Sequence, residues 1–574
     1  MGNKSLQKIP FIKLNFNYGG TRMPIVNSAY RVVGAILIFF VCASPLFSQS
    51  SSVNRTFEPI VVTAAPLTPL LNDSSKFFTA YKYNAAADNF IAIPFQIDDV
   101  SRDGDFFEET DGLIDSSDQI VFMPGDVGDQ ATTNKWLNDP NVAQTRVELA
   151  ISNPAGGQGW VYLFRNVTTK PMVLPYLRYD RGASTTAFSD TIFGTSYTEA
   201  HDATGWYTDT KILQSSGGNG RDIFDRRKVR IAGKVTIKLF NFTTNVTLKE
   251  DTLTYTGLRF KEGSVRGVRE LTGLISLSGN DFVLPFVSQY FPYSNVFSLR
   301  DIDIPVIEDN FIRVTIGEIR QSLDLNDRAN GMKFYNAANL GGITIDGNDD
   351  GAVPDGLTDG LNWMMAVGNP GTVLSLTTVP LLGDSRKLYF KDNAAQDVAD
   401  SGDKQSYGDF GWRLSTATNI TGVLDFVLTT YYLGANQPVS FGEEFKARAN
   451  SPLAVTATSQ QRTGTAVADR NELPNSFALG DAQPNPFWPL RGQVRLSFQI
   501  GQGSDSPSLR VYNLLGQEVA RFDLRNVRLA SDGAAQNLVW DGRGVNGQLL
   551  PAGVYFYQLR SGAQVATKKL VLIR

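Results

Sequence analysis

From about Val53 to Leu453 the chain alternates apolar and polar residues in short runs, and a helical repeat is scarce. Val235-Thr236-Ile237-Lys238-Leu239 switches at every step, as a strand with one buried and one wet face does. Val147-Glu148-Leu149-Ala150-Ile151 and Trp160-Val161-Tyr162-Leu163-Phe164 flank Asn153-Pro154-Ala155-Gly156-Gly157. That arrangement predicts a hairpin with a loop longer than two residues. Leu424 to Leu433 predicts another long strand. The 52 glycines and 26 prolines suit a chain of many turns. The expected fold class is all-β: a β-sandwich body of one or two domains, plus a small C-terminal immunoglobulin-like sandwich. A soft boundary near 180 divides the body into residues 50–180 and 181–452. The small polar residues of 453–475 read as a linker.

The last hundred residues are the most specific. They contain Gln483-Pro484-Asn485-Pro486-Phe487, Val511-Tyr512-Asn513-Leu514-Leu515-Gly516-Gln517-Glu518-Val519, Trp540-Asp541-Gly542 and Pro551-Ala552-Gly553-Val554-Tyr555-Phe556-Tyr557. The chain closes on Lys568-Lys569-Leu570-Val571-Leu572-Ile573-Arg574. β-branched and aromatic runs between Gly turns make a small antiparallel sandwich ending on an exposed strand. In motif order, residues 476–574 resemble the C-terminal sorting domain of proteins exported by the type IX secretion system of Bacteroidetes-type bacteria. The resemblance implies passage across the outer membrane with that machinery as partner. It also implies removal of the tail, with the body attached to surface lipopolysaccharide or released.

The front end agrees with export. Arg31 precedes an uncharged apolar run, Val32 to Ala43, and Pro45-Leu46-Phe47-Ser48 offers a break and a small residue. Residues 1–48 thus read as a signal peptide, with Met23 as an alternative start. The run is shorter than the roughly 20 residues of a spanning helix, and no stable transmembrane span is expected after its removal. Val41 before Cys42 does not suit a lipoprotein signal.

Composition narrows the chemistry. Residues 1–48 carry five basic residues and no acidic ones, so removing them takes the net charge from −4 to −9. Such a chain has no general attraction for nucleic acid. The sole cysteine, Cys42, leaves with the signal, and His201 is the sole histidine. Thiol catalysis and a histidine zinc cluster are excluded in the mature chain. No Gly-x-Ser-x-Gly elbow, Walker loop or dinucleotide fingerprint is present.

Three constellations remain. Asp98, Asp99, Asp103 and Asp105 lie in a carboxylate-dense loop able to hold calcium, which prefers many oxygen ligands. Asp346-Gly347-Asn348-Asp349-Asp350-Gly351 opens like a calcium loop, but Leu357 stands where a bidentate Glu is required. Asp346, Asn348, Asp350 and Asp355 are its candidate ligands for a structural Ca²⁺; solvated Asp-Gly turns are the plainer reading of both loops. His201, Tyr207 and Arg221, with Trp206 nearby, are the materials of a sugar cleft or an elimination site. Tyr389-Phe390-Lys391-Asp392 and Tyr407 to Trp412 offer more of the same.

The sequence therefore favours an exported surface or secreted protein with a non-catalytic binding, adhesion or structural body, calcium-stabilised and open to a glycan ligand. The rival is a polysaccharide lyase or glycosidase with a mutarotase-like sandwich. One histidine and no retained cysteine argue against a peptidase.

Overall fold

The computed structural model describes residues 49–108, 112–139, 141–182, 188–277, 280–304, 306–462, 478–489, 493–500, 507–514, 516–524, 536–561 and 564–573. The proposed signal segment lies outside them. The chain divides into two compact units, Met1–Thr463 and Gly464–Arg574. Among the described residues no helix is long and apolar enough to cross a membrane. The fold is all-β, as expected, built from antiparallel sheets.

The body begins as a sandwich. A three-stranded sheet, in the order Ile60–Thr63, Gln119–Phe122, Gln96–Asp98, faces a five-stranded one. The latter runs Ala454–Gln461, Thr145–Ser152, Gln158–Arg165, Phe78–Asn84, Asn89–Ala92. Ile60, Ile120, Phe122, Val147, Leu149, Val161 and Leu163 fill the space between them. The predicted hairpin closes through Asn153–Gly157, where Gly156 and Gly157 have φ of 103° and 108°.

Ala454–Gln461 differs from the expected linker. It pairs along its whole length with Thr145–Ser152, from Ala454 opposite Ser152 to Gln461 opposite Thr145. An edge strand presents one row of backbone groups to solvent and tolerates small polar side chains, so its composition resembles a linker. The chain thus returns at its end to the sheet where it began. The N-terminal sandwich takes strands from both ends of the single compact unit Met1–Thr463.

The larger part packs a six-stranded sheet against a nine-stranded one. The main path of the first is Phe242–Lys249, Phe224–Ile237, Ile312–Leu325, Ser406–Ser415, Ser385–Asn393. Gly422–Leu433 lies within the second, between Ser294–Ile304 and Gly371–Thr377. Trp412, Leu414, Leu424, Phe426 and Leu428 belong to the shared core. A separate four-stranded sheet, Arg178–Arg181 to Tyr207–Ile212, contributes Tyr197, Trp206 and Ile212 to it. One α-helix, Phe441–Asn450, covers the other side of the nine-stranded sheet, with Phe445 packed among Trp363, Met365, Leu374 and Tyr431.

The C-terminal unit is a small sandwich of three strands (Ala478–Gln483, Val494–Gln499, Gln536–Trp540) and four (Glu518–Asp523, Ser508–Tyr512, Gly553–Ser561, Gln564–Leu572). Its closing strand is not fully exposed. Phe487 N–H donates to Val571 O at 2.8 Å, and Ile573 N–H donates to Phe487 O at 3.0 Å. Asn485 extends the clasp, receiving Val571 N–H at 2.9 Å and donating to Lys569 O at 3.0 Å.

Candidate functional site

The predicted catalytic trio comes together only in part. His201 and Tyr207 pair across neighbouring strands, their rings 4.7 Å apart. Both are buried, at 4% and 6% exposure. His201 Nδ1 lies 2.5 Å from Asp190 Oδ1, and the Tyr290 hydroxyl lies 3.2 Å from its Nε2. Asp190 also receives Arg269 Nε at 2.9 Å and the Tyr179 hydroxyl at 3.0 Å. Burial pushes the Asp190 carboxyl up, but His201 and Arg269 outweigh it and hold the pKa at about 2. Tyr207 hydrogen-bonds Ser288 and stacks under Arg227. Arg221 instead lines a surface groove with Asp209, Lys211, Asp222 and Arg328. The histidine is one member of a sealed polar network inside the core, with no face toward a polymer.

The aromatic residues offered for sugar stacking pack on one another. Trp206 is fully buried against Tyr255 and Phe286, and Trp412 against Phe426. Phe390 stacks on Phe334.

The two acidic loops hold their own turns. Asp98 is buried and ion-paired with Arg266, which donates from Nε at 2.8 Å. Asp103 accepts from the Ser101 hydroxyl, and Asp105 from Phe107 N–H. Asp99 lines a pocket with Asp103 and Asp115. In the other loop Asp346 Oδ1 accepts from Asn348 N–H at 3.0 Å, and Asp355 Oδ1 from Leu357 N–H at 3.3 Å. Burial and the proximity of Asp346 and Asp349 raise the Asp350 pKa. Buried Asp392 anchors this loop by accepting from the N–H groups of Asp346 and Gly347.

The most site-like feature was not read from the sequence. Between the six- and nine-stranded sheets lies an apolar slot with a cavity of about 100 Å³. Val229, Ile231, Val246, Leu284, Ile316 and Phe426 are among its walls. Gln321 and Trp412, directly paired across adjacent strands, also line it. Gln321 is 1% exposed and Trp412 fully buried, yet Gln321 Oε1 and Nε2 and Trp412 Nε1 have no hydrogen-bond partner. Buried polar atoms are usually hydrogen-bonded to protein or to ordered water, and a polar group in the slot would satisfy these three. Apolar walls with a few convergent polar groups are the usual lining of a ligand site, and at about 100 Å³ this slot has room for a small group, less than the roughly 300 Å³ of most such sites.

A few residues further along the same strands, Leu239, Phe240, Phe242, Val306 and Phe311 are exposed, Phe240 at 75%. The turns carrying them are tied by Lys238 N–H to Phe311 O at 2.8 Å. The signal in the sequence was faint. Leu239-Phe240-Asn241-Phe242 places apolar residues in a turn, where polar ones are usual.

No protein-family model matches the chain. No curated protein matches it either. Among solved structures, a glycosyl hydrolase family 38 protein from Enterococcus faecalis is similar over 86% of this chain and 57% of its own, at 9% identity and a TM-score of 0.35. The chain therefore spans little more than half of that hydrolase. PorU of Porphyromonas gingivalis is similar over 72% of this chain and 35% of its own, at 11% identity and a TM-score of 0.14. PorZ, a surface component of the type IX secretion system of the same bacterium, covers 72% and 73%, at 12% identity and a TM-score of 0.13. At such values neither a common fold nor a common activity follows.

Proposed function

We propose that the chain is an exported surface or secreted protein whose body is a non-catalytic binding module for a slender apolar or amphiphilic ligand. The slot carries this reading. Its walls suit the terminal segment of an acyl-like chain, and the Gln321 amide and Trp412 indole N–H would answer a polar group carried with it. The buried setting of His201 and Tyr207, apart from Arg221, favours binding over lyase or glycosidase chemistry.

Export rests on the sorting-domain resemblance of residues 476–574. Its support is that the motif residues Asn485 and Phe487 clasp the terminal strand, and Tyr557 of another motif donates to Gly480 O at 2.6 Å. The type IX machinery is the partner on this reading, with surface lipopolysaccharide or an extracellular glycan as further contacts. Structural calcium in the 346–355 loop, and in the 98–105 loop, remains part of the proposal.

The test uses mature protein and a fluorescent fatty-acid probe. Saturable binding, weakened at least tenfold by Gln321→Leu together with a blocking Ile316→Trp, is the expected result. Absence of binding across chain lengths would refute the slot as a ligand site. Deletion of residues 476–574 should leave the protein in the periplasm; normal surface display of that truncation would refute the export reading.

A further inference from the structure

Outside the slot, the six-stranded sheet carries a dense group of buried charges. Lys228 is fully buried and ion-paired with Asp324 and with Asp400, the latter at 2.7 Å. Arg230 reaches Glu250 and Asp400, and Arg320 lies 4.0 Å from Asp409. Asp225 and Asp403 adjoin this group. Six carboxylates (Asp225, Glu250, Asp324, Asp400, Asp403, Asp409) thus stand against Lys228, Arg230 and Arg320. Arg226 is turned toward Asp202 at 3.9 Å.

Three of the acids converge. Asp225, Asp324 and Asp403 each bring an oxygen within 4.8 Å of the other two. Asp324 is completely buried, and with Oδ2 taken by Lys228 its Oδ1 has no partner. Asp225 Oδ2 is likewise inaccessible and unpartnered. An ionised carboxylate in that position is costly unless a cation answers it.

The backbone assembles the group from three separate places. The register slips between Phe224 and Arg226, so Asp225 is the extra residue of a β-bulge opposite Asp324 and Leu325. Bulges redirect side chains in this way. Asp403 arrives on the hairpin loop between Ser385–Asn393 and Ser406–Ser415, and its N–H donates to Asp225 Oδ1 at 2.9 Å. Gly402 (φ 65°) makes the approach possible. A Cβ there would stand 1.9 Å from Asp225 Oδ2.

We propose that Asp225, Asp324 and Asp403 bind a hard divalent cation of the calcium class, which fastens the 394–405 loop to the sheet. Carboxylate oxygens alone select calcium, magnesium or manganese over softer metals. The partly open side at Asp403 leaves room for water ligands. This site is distinct from the 98–105 and 346–355 loops.

The experiment is calorimetric titration of the metal-stripped full mature chain with calcium, then magnesium and manganese, alongside thermal melting. Asp403→Asn is the first variant, because Asp403 is exposed and its loss leaves the core intact. Asp403→Asn and Gly402→Ala should each lose one bound equivalent or weaken it at least tenfold, and lose the cation-induced rise in Tm. The double variant Asp346→Asn/Asp350→Asn can remove only an equivalent held by the 346–355 loop, and it should keep the equivalent and the rise in Tm that Asp403→Asn loses. Binding unchanged in Asp403→Asn, or no binding of any of the three ions at millimolar concentration, would overturn the proposal. Loss in the double variant alone would place the cation in the other loop and overturn it equally.

Discussion

Replacing Phe487 by alanine tests whether the Pro-Asn-Pro-Phe segment is a structural clasp. Phe487 is 1% exposed and lies in the C-terminal core with Leu496, Trp540, Tyr557 and Leu572. Removing a buried phenylalanine ring costs about 3–5 kcal/mol. A domain of this size is stable by only about 5–15 kcal/mol, so the loss is a large share. One power of ten in an opening equilibrium is about 1.4 kcal/mol. Amide exchange in peptides covering 553–573 should therefore accelerate by roughly two to nearly four powers of ten. Asn485→Ala is the comparison. It removes two exposed hydrogen bonds, each worth about 0.5–1.5 kcal/mol at most, and about a tenfold change is expected. Peptides from 145–165, which belong to a different core, provide the internal standard. The assay is hydrogen exchange by mass spectrometry on the full chain. If Phe487→Ala accelerates exchange less than Asn485→Ala does, the core argument is wrong and the clasp acts through its polar contacts alone.

Gly442→Ala should lower Tm by several degrees, because the added Cβ would sit 2.3 Å from the Trp363 ring and overpacking costs about 1–3 kcal/mol; an unchanged melting curve would show that the helix shifts freely. Lys228→Met should destabilise by about 3–5 kcal/mol in urea titration, since it leaves Asp324, Asp400 and Asp409 without their shared cation; a neutral or stabilising outcome would mean that these acids are protonated in the fold. Stability should fall as pH rises from about 4 to about 7. Burial lifts Asp118 and Asp126 to about 6, so the native state keeps protons that the unfolded chain releases near 3.8. For Asp126 the effect is at most about 3 kcal/mol, and it is smaller for the more solvated Asp118. Melting curves rising through that interval would contradict the assignment. Below pH 4 the opposite sign takes over, as Asp190, held at about 2, loses its pairing with His201 and Arg269.

The one-dimensional pattern determined the all-β class and several particular strands. The β-rich run at 424–433 and the paired runs around Asn153–Gly157 became a long strand and a hairpin, because strand composition and turn residues are local properties. The C-terminal motifs were legible for the same reason, each being a turn or strand. Tertiary structure decided everything that depended on distant partners. Ala454–Gln461 became a strand only because an open sheet edge some three hundred residues earlier accepted its backbone. His201 and Tyr207 read as exposed chemistry and were drawn inside, because Asp190, Arg269 and Tyr290 could satisfy them there. Trp412 read as material for an open sugar site, and Gln321 did not stand out; paired across strands, they line a slot inside the core instead. Asp225, Asp324 and Asp403 lie on three segments and meet through a bulge and a glycine turn. Spacing along the chain carries no information about such convergence. Long-range backbone pairing and burial create it, and those are properties of the folded molecule alone.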